Sequence, residues 1–196
     1  MSKRVVSYNK LKWAIFSFQP YKSPGMDGIM PIMLQQRFEL LAGKLLMLLR
    51  ASLALGYIPM SWRHTRVVFI PKPGNSLTQA KSLRPISLMS FILKVLEKLI
   101  DRHIRGCVLV EKPLHQYQYA YRAGMSTETA LFQVVQRLEK YLEHKEIALG
   151  AFLDIEVAFE NTSFKTIIMA ARERGLEETC CRWIEFMLEG THFPNG

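Results

Sequence analysis

Acidic side chains are missing from a long stretch of this chain: none lies between Leu40 and Leu96, where eight Lys and Arg residues fall. Aspartate is scarce throughout, with only Asp27, Asp101 and Asp154. Cysteine is sparse as well. Cys107, Cys180 and Cys181 make an odd set with one adjacent pair, which excludes a disulfide framework and points to a reducing compartment. No spacing among these cysteines and the five histidines suits a zinc site. Long apolar runs are also lacking. The stretch around Leu40–Leu49 is interrupted by Lys44 and is too short to span a bilayer. Met1 to Lys12 has neither the apolar centre nor the small-residue cleavage site of a secretory signal. Together these absences lead to the expectation of a soluble intracellular domain, nuclear or cytoplasmic, with no membrane partner.

What is present is a core and a charge gradient. A hydrophobic fraction of 49% over 196 residues is enough for one large domain or two small ones and excludes intrinsic disorder. The net charge of +9 is unevenly spread. Residues 1–112 hold 18 basic and 5 acidic side chains, a net of +13; residues 113–196 hold 8 and 12, a net of −4. A basic front and an acidic back suit a protein that holds phosphates with one part and cations with the other, although solvated faces charged by chance give the same totals.

Periodicity and breakers predict the elements. Asn9 to Phe18 reads as a short amphipathic helix, followed by a turn at Lys22-Ser-Pro-Gly-Met-Asp-Gly28. Pro31 to Leu55 carries a long helical period stopped by Gly56, with Leu41, Leu45, Leu48 and Leu49 on its apolar side. Thr65 to Ile70 is a β-branched run closed by Pro71, and Lys72 to Arg84 reads as a loop or hairpin tip. A helix is expected from Ser90 to about Arg105, burying Ile92, Val95, Leu96 and Leu99. Ser126 or Thr127 caps a helix whose apolar face is Leu131, Val134, Val135, Leu138 and Leu142. Ile147 to Leu153 is expected to be a strand. Two helices follow, one from an N-cap at Asn161–Ser163 to Arg174 and one over Thr179–Leu188. The parts this suggests are an N-terminal region over 1–62, a middle region over 63–146 and a last one over 147–196.

Several residues carry chemistry. Asp154, at the end of a buried strand, is placed to bind a hard cation such as Mg²⁺, or simply to end the strand. Glu156 and Glu160 are alternative carboxylates, and Phe159 is near enough to pack beside whatever the cation holds. Lys72 and Arg84 flank a Gly- and Pro-containing loop and suit phosphate oxygens, unless they only solvate a hairpin. Arg63 and Arg66 can touch a nucleic-acid backbone. Tyr119 or Tyr121, beside Arg122, can stack on a base or pack on the core.

The order of these segments resembles one family. Lys22-Ser-Pro-Gly-Met-Asp-Gly-Ile29 is similar to the signature near the start of non-LTR retrotransposon reverse transcriptases. Gly56-Tyr-Ile-Pro-Met-Ser-Trp62 resembles the family's Gly-x-x-Pro-x-x-Trp step. Val67–Gly74 and Leu83–Leu88 resemble its two fingers motifs, and Leu93–Lys98 the helix that follows. Gln118–Leu131 resembles its Gln-x-Gly-Phe-Arg segment, and Leu153–Glu160 its first palm motif. The style is nearest to jockey-like elements.

The resemblance implies an α+β chain: a partial right-hand polymerase fold of helix-rich fingers with a small antiparallel element, then the first palm strand and its helices. It implies an RNA-directed DNA polymerase using an RNA template, a DNA primer, deoxynucleotides and two Mg²⁺ ions. Asp154 would be the first metal ligand, with the backbone carbonyl of Ile155. Phe159 would exclude a 2′-hydroxyl, which disfavours an RNA-synthesising polymerase. Lys72 and Arg84 would hold the triphosphate, and Arg63, Arg66, Tyr121 and Arg122 the nucleic acid. Met26, Ala120, Val157 and Glu160 depart from the family pattern, and Val157 in place of Gly would crowd the nucleotide. The Tyr-x-Asp-Asp hairpin does not occur in the sequence. The expectation is therefore a fragment inactive alone, with exposed apolar surface. The rival readings are a non-catalytic nucleic-acid-binding remnant and a relic without function.

Overall fold

The computed structural model describes residues 2–72, 82–155 and 161–189. They form two compact units, Met1–Val110 with Ser163–Gly196, and Glu111–Thr162.

The first unit is built on helices. After the single turn α1 (Ser2–Val5), helix α2 (Tyr8–Phe16) begins at Ser7, whose hydroxyl accepts from the Lys10 amide. The long helical period over Pro31–Leu55 is divided into α3 (Pro31–Gln36) and α4 (Phe38–Leu55), because Arg37 leaves helical geometry at φ −107°, ψ 18°. Gly56 then adopts the left-handed conformation (φ 63°), which ends α4 at the expected residue. A short α5 (Met60–Arg63) leads into β1 (Arg66–Pro71), which pairs antiparallel with β2 (Leu83–Leu88). Arg84, read from sequence as the end of a loop, lies inside β2. Helix α6 (Phe91–His103) is capped by Ser90 and continues through a π-helical turn over Ile104–Val108 to a last turn, α7 (Leu109–Glu111).

The core joins distant parts of the sequence. Leu11 and Ile15 of α2, Leu49 and Leu53 of α4, and Leu96 and Leu99 of α6 are all buried. Helices α9 (Phe164–Glu173) and α10 (Glu178–Glu189) belong to the same cluster through Ile168, Cys180 and Trp183. Burying each such Leu, Ile or Phe side chain contributes about 1.5–3 kcal/mol. The Trp183 indole N–H donates to Ser52 Oγ at 3.2 Å, and the Ser52 hydroxyl donates to the Tyr57 carbonyl at 2.5 Å. One hydroxyl therefore ties α10, α4 and the α4–α5 turn together. Of the α6 residues expected in the core, Val95, Leu96 and Leu99 are buried and Ile92 packs against the cluster half-buried.

The second unit contains α8 (Thr127–Glu143), started by a reciprocal cap. Ser126 Oγ accepts from the Thr129 amide, and Thr129 Oγ1 accepts from the Ser126 amide. The expected apolar stripe is on α8, but no residue of the helix is buried, and Leu131 and Leu142 are among the most exposed. The strand expected over Ile147–Leu153 does not form: 146–155 is neither helix nor strand. A strand needs a partner for its backbone groups, and none pairs with it among the described residues. Ile147, Leu149, Phe152 and Leu153 are accordingly 94–99% exposed, in keeping with the expected exposed apolar surface.

Candidate nucleotide and nucleic-acid contacts

The β1–β2 pair decides how the basic residues of the first unit are grouped. Arg66 opposes Leu88, Val68 opposes Ile86 and Ile70 opposes Arg84. Side chains alternate along a strand, and directly opposed residues share a face, so Arg66 and Arg84 point to the same side. The ladder extends by one bond, from the Lys72 amide to the Ser82 carbonyl at 2.8 Å. Lys72 thereby continues the same alternation and becomes a diagonal neighbour of Arg84, roughly 7–8 Å apart by strand geometry. Two cations at that spacing can contact adjacent phosphates of one polyanion. Val68, Ile70 and Ile86 occupy the same face and are substantially exposed. The residues between the strands, 73–81, lie outside the described residues.

Arg63 is oriented differently. Its guanidinium carbon lies 5.0 Å from the centroid of the Phe186 ring, on α10, which fixes the side chain by a cation–π contact. Arg63 and Arg66 thus sit on either side of the α5–β1 junction, one stacked on a ring and the other exposed.

In the second unit, Arg122 and Tyr121 have separate roles. Arg122 Nη1 donates to three carbonyls, those of His115 (3.2 Å), Gln116 (3.1 Å) and Gln118 (3.2 Å). The guanidinium holds the loop in place, a role that residue type and spacing did not reveal. Tyr121 has φ 62° and is 75% exposed. A non-glycine residue in the left-handed region costs about 1 kcal/mol or more and persists where its surroundings hold it, and the Arg122 bonds supply such a hold. Beside it, Tyr119 bonds Gln133, and the Arg137 guanidinium stacks 4.4 Å from the Tyr117 ring centre. Tyr117, Gln133 and Arg137 line an open cleft of about 410 Å³ with Gln136 and Lys140. Sequence reasoning passed over Arg137 and Gln133; their i, i+4 spacing on α8 was the available signal.

Asp154 and Ile155 are exposed on the segment that has no regular structure. Phe159, with Glu156, Val157 and Glu160, lies outside the described residues. No group of three or more His, Cys, Asp or Glu residues suited to a metal ion occurs among the described residues. Asp154 with the Ile155 carbonyl does not by itself fit a two-ion magnesium site, which needs further carboxylates. No helix among the described residues is long and apolar enough to cross a membrane.

Residues 70–196 match the family described as Reverse transcriptase (RNA-dependent DNA polymerase). The RNA-directed DNA polymerase from mobile element jockey of Drosophila melanogaster is 29% identical over 171 residues, covering 85% of this chain and 18% of that protein. A probable RNA-directed DNA polymerase from transposon X-element of the same species is 32% identical over 139 residues, covering 71% of this chain and 15% of that protein. A Pol polyprotein from the type-2 retrotransposable element R2DM is more distant, at 26% over 168 residues. The chain spans less than a fifth of the length of the first two relatives. It belongs to the reverse transcriptase family, with its kinship among jockey-like, non-LTR elements.

Proposed function

We propose that this chain is the nucleotide- and template-handling portion of an intracellular RNA-directed DNA polymerase from a non-LTR retrotransposon. The observation that carries the reading is the β1–β2 hairpin, which sets Arg66, Arg84 and Lys72 on one face. Lys72 and Arg84 then engage the triphosphate of an incoming deoxynucleotide. Arg63 and Arg66, with Tyr121, contact the RNA template and DNA primer, and Arg122 supports Tyr121. Asp154 and the Ile155 carbonyl contribute to magnesium binding, and Phe159 selects against a 2′-hydroxyl. Nucleotidyl transfer needs more carboxylates than Asp154 supplies, so the 196-residue chain alone is expected to bind without polymerising.

Two assays test this. The first measures binding of a primed RNA template over a salt series. Arg84→Ala and Lys72→Ala are expected to weaken deoxynucleotide crosslinking, and Arg66→Ala to weaken template binding and flatten its salt dependence. Unchanged crosslinking in both single variants and in the pair would remove the triphosphate assignment. The second is primer extension by the same chain. Extension would show that the metal site is complete within it, whereas binding without extension supports the non-catalytic state. That second reading is favoured by the exposure of Asp154 on a segment without regular structure.

A further inference from the structure

A second group of basic residues lies on α6, the helix that directly follows β2, and is not used by the reading above. Lys94, Lys98 and Arg102 recur every four residues on this helix, which puts them on one face. Aromatic rings from α2, from the chain just after it and from the start of α6 lie among them. Lys94 Nζ is 4.5 Å from the Phe91 ring centroid. Lys98 Nζ is 4.8 Å from that of Phe18 and 5.5 Å from that of Trp13, and the Arg102 guanidinium carbon is 4.1 Å from that of Trp13.

The acids on the same helix do little to cancel this charge. Asp101 is held by Arg105 at 2.8 Å, an i, i+4 ion pair. Burial pushes the Glu97 carboxyl above its usual range, against the opposing effect of Lys94. Neither Lys98 nor Arg102 makes an ion pair among the described residues. The indole of Trp13 is 39% exposed, while Trp62 and Trp183 are buried in the core.

We infer that the α6–Trp13 face is a binding surface for single-stranded nucleic acid, in which Lys98 and Arg102 take successive phosphates and a base stacks on Trp13. Charge complementarity identifies the occupant. Cations alternating with an exposed aromatic ring match the alternation of phosphate and base along a strand. An acidic peptide would satisfy the cations and leave the indole without a stacking partner. A lipid surface would need an apolar rim, which this charged helix face lacks.

The test uses Trp13 as its own reporter. Oligo-dT and oligo-rU of twelve nucleotides are titrated into the whole chain at low salt, and tryptophan emission is followed alongside anisotropy of a labelled strand. Quenching is expected in the wild type and is expected to be absent in Trp13→Phe, in which only the buried tryptophans emit. Lys98→Glu/Arg102→Glu is expected to weaken binding at least tenfold. The milder Lys98→Gln/Arg102→Gln is expected to reduce the slope of log K against log salt by about 1.4, two phosphate contacts at roughly 0.7 each for a single strand. Far-UV circular dichroism establishes that each variant is folded, and the Gln pair decides the matter if the Glu pair is not. The hairpin variant Arg66→Glu/Arg84→Glu separates this inference from the function proposed above: quenching that survives it supports the second surface, whatever happens to total affinity. Binding without Trp13 quenching, wild-type affinity and slope in the Gln pair, loss of quenching in the hairpin variant, or equal quenching by polyglutamate would each overturn it. Comparing the two oligonucleotides shows whether the surface takes RNA, DNA or both.

Discussion

Removing the Ser52 hydroxyl is expected to cost more than its size suggests, because it accepts the hydrogen bond of a buried indole on a helix 131 residues away in sequence. In the native protein Trp183 is 1% exposed and its N–H ends on Ser52 Oγ, while the same oxygen donates onward to Tyr57. Ser52→Ala leaves a buried indole N–H without an acceptor, at about 1–3 kcal/mol. The Tyr57 carbonyl loses its donor as well, but it lies on an exposed turn where water can replace the bond. Trp183→Phe removes the donor and part of the ring, and by the usual cost of large-to-smaller core changes is expected to lose about 2–3 kcal/mol. In the double variant the orphaned donor is gone, so each substitution costs less in the presence of the other than it does alone. The coupling free energy is expected to be about 1 kcal/mol, within the range for residues in direct contact. Urea unfolding of the four proteins, followed by far-UV circular dichroism, measures it. Strict additivity, with a coupling below about 0.3 kcal/mol, would refute the bond and with it the docking of α10 on α4.

Other perturbations probe different parts of the fold. A Cβ at Gly25 would stand 2.7 Å from the backbone carbon of Met89 and the backbone nitrogen of Ser90. Gly25→Ala is therefore expected to displace the turn or the start of α6 and to destabilise by about 1–3 kcal/mol, read as a lowered urea midpoint. Among the cysteines, burial pushes the Cys180 thiol up to about 12 and also raises that of Cys181. Cys107 is only half-buried. Native-state alkylation followed by peptide mapping should modify Cys107 first, and equal rates at all three would contradict the packing of α10. Burial pushes Glu177 up, but the hydrogen bond from His103 Nε2, its own backbone bond and the charges of His103 and Arg4 outweigh that and hold the carboxyl below the usual glutamate range. A lowered folded-state value means that the stability Glu177 contributes is present above the ordinary glutamate pKa and is lost as pH falls through the lowered one. Solvent screening keeps the contribution modest, since the side chain is 35% exposed. The stability gap between wild type and Glu177→Gln should narrow on acidification from about pH 6 to about pH 3, and a gap that stays constant would remove the carboxylate from the account.

Local signals in the sequence were enough for most elements of this chain. The caps at Ser90, Ser126 and Ser163, and the stop at Gly56, lie where residue type put them, because a cap is decided by a hydroxyl and a few neighbouring amides. The ordered motifs also determined the family, which the comparison bears out over residues 70–196. Tertiary structure alone decided the rest. The break at Arg37 lies inside an unbroken apolar period, so periodicity could not mark it. The strand expected over Ile147–Leu153 had the right residues but no partner beside it among the described residues, and strand formation is a property of a pair. The stripe on α8 shows the same limit, since an amphipathic face states what can be buried and not what covers it. The grouping of Arg66, Arg84 and Lys72 needed the register of β1 against β2, because residues far apart in sequence share a face only once pairing sets their alternation. The ladder of Lys94, Lys98 and Arg102 was present in the sequence as spacing on one helix. Its aromatic partners, Trp13 and Phe18, come from chain more than 70 residues earlier and meet it only when α2 packs on α6.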